Sequence, residues 1–138
     1  MSVIIGLTGP TGAGKSTAAA AAEGFGLQII DCDKLARAAA EKGTDGLKAL
    51  VAAFGKEILL TDGSLDRRAL AAAAFASPQK TELLNETILP HIVKLVLAEA
   101  EGKNVLLDAP TLFESGLNSV CTAVIRMKRR FISAFQIY

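Results

Sequence analysis

The sequence predicts an α/β fold built on a parallel sheet, and three observations carry that prediction. Val3-Ile4-Ile5-Gly6-Leu7 is a near-continuous apolar run, the composition of a strand buried on both faces. A glycine-rich loop and an alanine-rich helical stretch follow it directly, and Leu27 to Ile30 reads as a second short strand. Strand, helix, strand over that length implies a right-handed crossover and a parallel pair. A later run, Asn104-Val105-Leu106-Leu107-Asp108, repeats the pattern of a buried strand ending in a carboxylate.

Bulk properties limit the function classes. The 138 residues suffice for one domain with its own core. Hydrophobic residues make up 51% and charged residues 21%, a globular balance. A net charge of +1 gives no bias toward nucleic acid or an anionic membrane. No apolar run is long enough to span a bilayer, and the first strand lacks the flanks of a signal peptide. Cys32 and Cys121 are far apart in sequence and form no metal-type pair. Two such cysteines are expected to stay reduced, which suits the cytoplasm.

In chain order, the helix after the loop covers Thr17 to Glu23 and stops around Gly24-Phe25-Gly26. A helical middle follows. Leu35 to Glu41 forms one segment. Thr44 caps a second, Asp45 to Phe54, with Leu47, Leu50, Val51 and Phe54 on one face. Thr61-Asp62-Gly63-Ser64 is a turn, and Asp66 opens a third helix through Leu70 to Phe75. Ser77-Pro78 starts a fourth, through Leu83-Leu84. Pro90 starts a fifth, with Ile92, Leu95, Val96 and Ala100 inward, stopping at Gly102. Asn104 to Asp108 and Ala123-Val124-Ile125 are the last two strands.

The loop carries the chemistry. Gly9-Pro10-Thr11-Gly12-Ala13-Gly14-Lys15-Ser16 has the G-x-x-x-x-G-K-S pattern of a phosphate-binding loop, in the strand–turn–helix context that pattern needs. Pro10 has no N–H, so the cradle is built from Gly12, Ala13, Gly14, Lys15, Ser16 and Thr17, at the positive end of a helix. Lys15 reaches the β- and γ-phosphates of ATP, and the Ser16 hydroxyl holds Mg²⁺.

In an open parallel sheet, ligands bind beyond the carboxyl ends of the strands, where Asp31, Asp33 and Asp108 also lie. Asp33 is a candidate proton acceptor or Mg²⁺-positioning group, and both Asp31 and Asp33 can instead cap a helix. Val105 to Asp108 resembles a Walker B strand, whose aspartate approaches Mg²⁺ through water. Ala109 follows where motor-type ATPases place a water-activating glutamate, so the site favours transfer to an acceptor over hydrolysis. Leu112 and Phe113 offer apolar surface for either ligand contact or core packing.

Four blocks together resemble dephospho-CoA kinase: the loop through Thr17; Asp31-Cys32-Asp33 with Leu35-Ala36-Arg37; Asp62-Gly63-Ser64-Leu65-Asp66-Arg67; and Leu107-Asp108-Ala109-Pro110-Thr111-Leu112-Phe113-Glu114-Ser115-Gly116. The resemblance runs from about Val3 to about Ile125. It implies a three-layer P-loop NTPase fold with parallel strand order 2-3-1-4-5. It divides the chain into a core of residues 1–34 and 103–125, a helical acceptor-binding insertion of about 35–102, and a tail, 126–138. The implied reaction moves the ATP γ-phosphate to the 3′-hydroxyl of dephospho-CoA, with Asp33 as base and Lys15 holding ATP. Leu112, Phe113 and Glu114 stand near the acceptor in that reading.

This chain has Leu89-Pro90-His91 where the family usually has His-Pro, and residues 126–138 match nothing in the family pattern. Phe131, Phe135 and Tyr138 fall at helical spacing, so the tail reads as a truncated or frame-shifted end, or as a short helix packing on the sheet. The resemblance implies a lid helix past the fourth strand with arginines that reach the phosphates; Arg126, Arg129 and Arg130 either imitate these or form a solvated basic turn. On the truncated reading the fifth strand is missing, and the exposed edge of the fourth invites self-association. Two alternatives to the kinase reading stay open: a non-catalytic ATP-binding remnant or interaction module, and another small-molecule or nucleoside monophosphate kinase.

Overall fold

The computed structural model describes residues 3–9, 15–128 and 131–137. Along the chain these form β1 (Ile4–Thr8), α1 (Lys15–Gly24), β2 (Gln28–Asp31), α2 (Cys32–Ala39), α3 (Asp45–Phe54), α4 (Arg67–Ala74), α5 (Pro78–Ala100), β3 (Val105–Asp108), α6 (Leu112–Ser115), β4 (Ala123–Lys128) and β5 (Phe131–Ile137). The chain divides into two compact units, one of residues 1–33 with 96–138 and one of residues 34–95.

The first unit holds the sheet, in order β2-β3-β1-β4-β5. β1 lies at its centre, parallel to β3 on one side and β4 on the other, and β2 is parallel to β3. Val105, Leu106 and Leu107 are all buried, as strands covered on both faces must be. Ile5 and Leu7 point to one face, where Leu7, Leu106 and Ala22 of α1 form a cluster ringed by Leu27, Ile29 and Ile125.

Gly6 points to the other face. A Cβ there would stand 2.7 Å from Leu112 Cδ2 and 2.9 Å from Cys121 Sγ. The missing side chain is what lets α6 lie directly on the central strand. Behind α1, the N–H groups of Gly26 and Leu27 bond back to the carbonyls of Glu23 and Ala22, with Gly26 at φ 82°, a Schellman close.

The end of the chain answers one expectation and corrects two others. Among the described residues the parallel strands are β1 to β4, so the fifth parallel strand of the family order is missing as expected, but residues 131–137 do not form a short helix and the edge of β4 is not open: β5 runs antiparallel to β4 in the fifth position. Only two residues separate the strands, whereas a parallel return needs a crossover of a dozen or more. Phe, Ile and a second Phe and Ile within this stretch also favour strand over helix. The edge of β4 is therefore paired, which removes the premise for self-association through it; the outer strands are β2 and β5.

The second unit packs helices around Ala40, Leu50 and Ile58, with Val51, Phe54, Leu65, Leu70, Leu84 and Ile88 against them. The caps read from sequence are present. Thr44 Oγ1 accepts the Leu47 N–H at 3.1 Å, Asp66 Oδ1 accepts that of Ala69 at 3.1 Å, and Ser77 Oγ accepts that of Lys80 at 3.2 Å. Asp62 Oδ1 receives both the Ser64 N–H and its hydroxyl, closing the turn between Leu59 and Leu65.

Two helix starts differ from expectation. α2 begins at Cys32, directly off β2, because Asp31 rather than a later residue provides its cap. Pro90 does not start a helix: α5 runs unbroken from Pro78 to Ala100 with Pro90 inside it. Pro90 cannot donate to the carbonyl of Glu86, but both positions are solvent-exposed, so water can take up that acceptor.

Candidate active site

The site is built where the parallel strands end. Register places Asp31 opposite Asp108 across β2 and β3, Leu7 opposite Asp108 across β1 and β3, and Thr8 opposite Arg126 across β1 and β4. The carboxyl end of β1 thus lies between β3, with its aspartate, and β4, with its arginine. Gly9, the next residue, sits at φ 141°, a conformation open chiefly to glycine, and begins the loop. Gly12, Ala13 and Gly14 lie outside the described residues, as do the side chains of Lys15, Ser16 and Thr17, whose backbone opens α1.

Two bonds tie the turn after β3 to β1. The Ala109 N–H donates to the Leu7 carbonyl at 3.0 Å, and the buried Thr8 hydroxyl donates to the Pro110 carbonyl at 3.1 Å. These fix the direction in which the chain leaves Asp108. That carboxylate is partly buried, with Oδ1 shielded from solvent.

The two aspartates after β2 divide their tasks. Asp31 Oδ1 accepts the Asp33 N–H at 2.9 Å and so caps α2. Asp33, in the first turn, has an exposed side chain able to meet a ligand beyond the strand ends. Between them, Cys32 is buried and its thiol is pushed up to about 12, first by burial, then by Cys121 and by Asp108, Asp33 and Asp31. The thiol therefore stays protonated at neutral pH. Burial likewise raises Cys121, to about 11.

The three residues that the resemblance sets near an acceptor part company. Leu112 is fully buried against Gly6, so it packs the core and presents no surface to an acceptor, a correction to the sequence expectation. Phe113 is half-buried, with the Arg126 guanidinium carbon 4.7 Å from its ring centroid. Glu114 is exposed. Arg126 joins the site because β4 continues to Lys128, beyond Ile125 where the sequence pattern weakens. The sequence offers Arg126 as a mimic of a lid arginine or as part of a solvated basic turn; it is instead an exposed residue of β4.

The match with known proteins decides the family. A family model for dephospho-CoA kinase covers residues 3–131. The chain belongs to the dephospho-CoA kinase family. Relatives named dephospho-CoA kinase include those of Geobacillus kaustophilus, 43% identical over 86% of this chain and 62% of that protein, and Enterococcus faecalis, 41% identical over 90% and 65%. Another, from Corynebacterium glutamicum, is 46% identical over 83% of this chain and 62% of its own length. A crystal structure of a Thermus thermophilus protein superposes with a TM-score of 0.68 at 34% identity, covering 91% of this chain and 64% of that one. The dephospho-CoA kinase of Campylobacter jejuni superposes at 0.63 and 25% identity, over 91% and 66%. The chain therefore spans a little under two thirds of the length of these relatives.

Proposed function

We propose that the chain transfers the γ-phosphate of ATP to the 3′-hydroxyl of dephospho-CoA, giving coenzyme A and ADP. The observation that carries this reading is the exposed Asp33, two residues past the capping Asp31, which stands opposite Asp108 at the strand ends of a family member. Asp33 takes the proton of the 3′-hydroxyl as its oxygen attacks the γ-phosphorus. The new O–P bond forms as the bond to the β,γ-bridging oxygen breaks, and ADP leaves. Lys15 and the amides of residues 12–17 hold the polyphosphate; their contribution is positioning and charge neutralisation.

The donor set suits Mg²⁺. Among the described residues no three His, Cys, Asp or Glu side chains converge into a metal cage. Mg²⁺ is instead typically held by one or two carboxylates together with substrate phosphates and water. Asp108, through water, and Ser16 would hold it, and it would supply charge neutralisation at the phosphates. The helical unit of residues 34–95 is assigned to the acceptor. Both cysteines are free and buried, in keeping with a reducing compartment such as the cytoplasm, and no helix among the described residues is long and apolar enough to cross a membrane.

The test is product analysis with ATP, Mg²⁺ and dephospho-CoA. Coenzyme A appearing in step with ADP supports the proposal. ATP binding without product at any acceptor concentration would return the non-catalytic reading, and preferential phosphorylation of AMP would return a nucleoside monophosphate kinase.

A further inference from the structure

Arg126 stands opposite Thr8, the last residue of β1, and the phosphate loop starts at the next residue, Gly9. β3 and β4 flank β1 on opposite sides. Phe113 follows β3 and sits one residue past Leu112, whose side chain lies against Gly6 in β1. With 4.7 Å between the Arg126 guanidinium carbon and the Phe113 centroid, the pair meets at the end of β1. A planar cation is thereby held where the chain turns into the loop.

Three features suit this cation to a phosphate. A guanidinium lying over a ring meets it with its face, while its in-plane N–H donors form the fork that matches phosphate oxygens. The ring also orders a long side chain in advance, lowering the entropy lost on binding. The same sheet edge carries Asp31, Asp33 and Asp108, whose negative charge opposes a polyphosphate unless a cation offsets it. In addition, the register between β4 and β5 shifts between Arg126 and Met127. Such irregularities turn a strand and re-aim its side chains.

We propose that Arg126, steadied on Phe113, binds the terminal phosphate of the nucleoside triphosphate. The loop amides take the inner phosphates and Lys15 reaches the β- and γ-phosphates, so Arg126 adds a second cation on the terminal one, from the strand-end side. This assignment rests on the ATP-binding part of the proposed function and is independent of the acceptor.

The experiment measures equilibrium binding of a non-hydrolysable ATP analogue and of ADP, each with Mg²⁺, to the full chain and to R126Q and F113L. R126Q is expected to weaken the triphosphate roughly 10- to 100-fold, the range of a charge-assisted contact, and to leave ADP within about 2-fold. F113L is expected to move the triphosphate in the same direction by a smaller factor, because it releases the guanidinium without removing it. Equal losses for both nucleotides, or no change in either, would overturn the role of Arg126 alone. A parent chain that binds neither nucleotide would overturn both this role and the loop reading. Selective loss of the triphosphate in a chain that binds but transfers nothing would support Arg126 and refute the kinase.

Discussion

Replacing Gly6 with alanine puts a methyl group 2.7 Å from Leu112 Cδ2 and 2.9 Å from Cys121 Sγ, both inside van der Waals contact. The end of a leucine can yield when it has room. Leu112 has none, being fully buried, and Cys121 is 6% exposed. The backbone of β1 cannot yield cheaply either, since it is hydrogen-bonded to β3 and β4 along its length. Overpacking of this kind costs about 1–3 kcal/mol, and this site belongs in the upper half of that range. For a chain of this size, about 2 kcal/mol lowers Tm by roughly 5–10 °C. The assay is thermal unfolding followed by circular dichroism for G6A, L112V and the double variant. If the clash is the cause, L112V recovers part of the loss, and the two substitutions deviate from additivity by more than about 0.5 kcal/mol. A G6A chain melting within 1 °C of the parent, or strictly additive losses, would refute the packing argument.

Other expectations follow from the same structure. D31A removes the cap of α2 and should cost about 1 kcal/mol in denaturant unfolding, whereas D31N should cost less. P90A restores an N–H in the interior of α5 and should raise the urea midpoint by an amount worth about 1–3 kcal/mol; an unchanged midpoint would mean that the helix already accommodates the proline without cost. Cys32 should resist alkylation in the folded chain up to about pH 10 and react on unfolding, because its thiol titrates near 12 against 9 when free. The sign follows: a raised pKa in the folded state contributes stability in full below pH 9 that is lost as the pH rises toward 12. Fast labelling of native protein at pH 8 would contradict the burial.

The local signals that were legible all have short physical ranges. Thr44, Asp66 and Ser77 were readable as caps because the cap bond spans only three residues. Val3 to Leu7 and Val105 to Leu107 were readable as buried strands because both sheet faces demand apolar side chains. Three features needed the tertiary structure. Pro90 reads as a helix start until its solvent-facing position shows that the missing bond can be met by water. Leu112 reads equally as ligand contact or core until Gly6 is seen beneath it. Phe131 and Phe135 fit helical spacing, but spacing carries no information about the open edge of β4 that a strand two residues away can fill. At the site, the sequence favours Asp31 as the cap and Asp33 as the chemical group, and the hydrogen bond from the Asp33 N–H to Asp31 Oδ1 gives the cap to Asp31.

The central claim is that Asp33 serves as the base for transfer to a ribose 3′-hydroxyl, and the most direct measurement is single-turnover phosphorylation of dephospho-CoA by the parent chain and by D33N. Product is resolved by mass spectrometry and ³¹P NMR, and ATP affinity is measured alongside. The expected result is 3′-phosphorylated product from the parent and a loss of about 10²–10⁴-fold in D33N at nearly unchanged ATP affinity. Equal rates in the two chains, or product phosphorylated at another position, would contradict it.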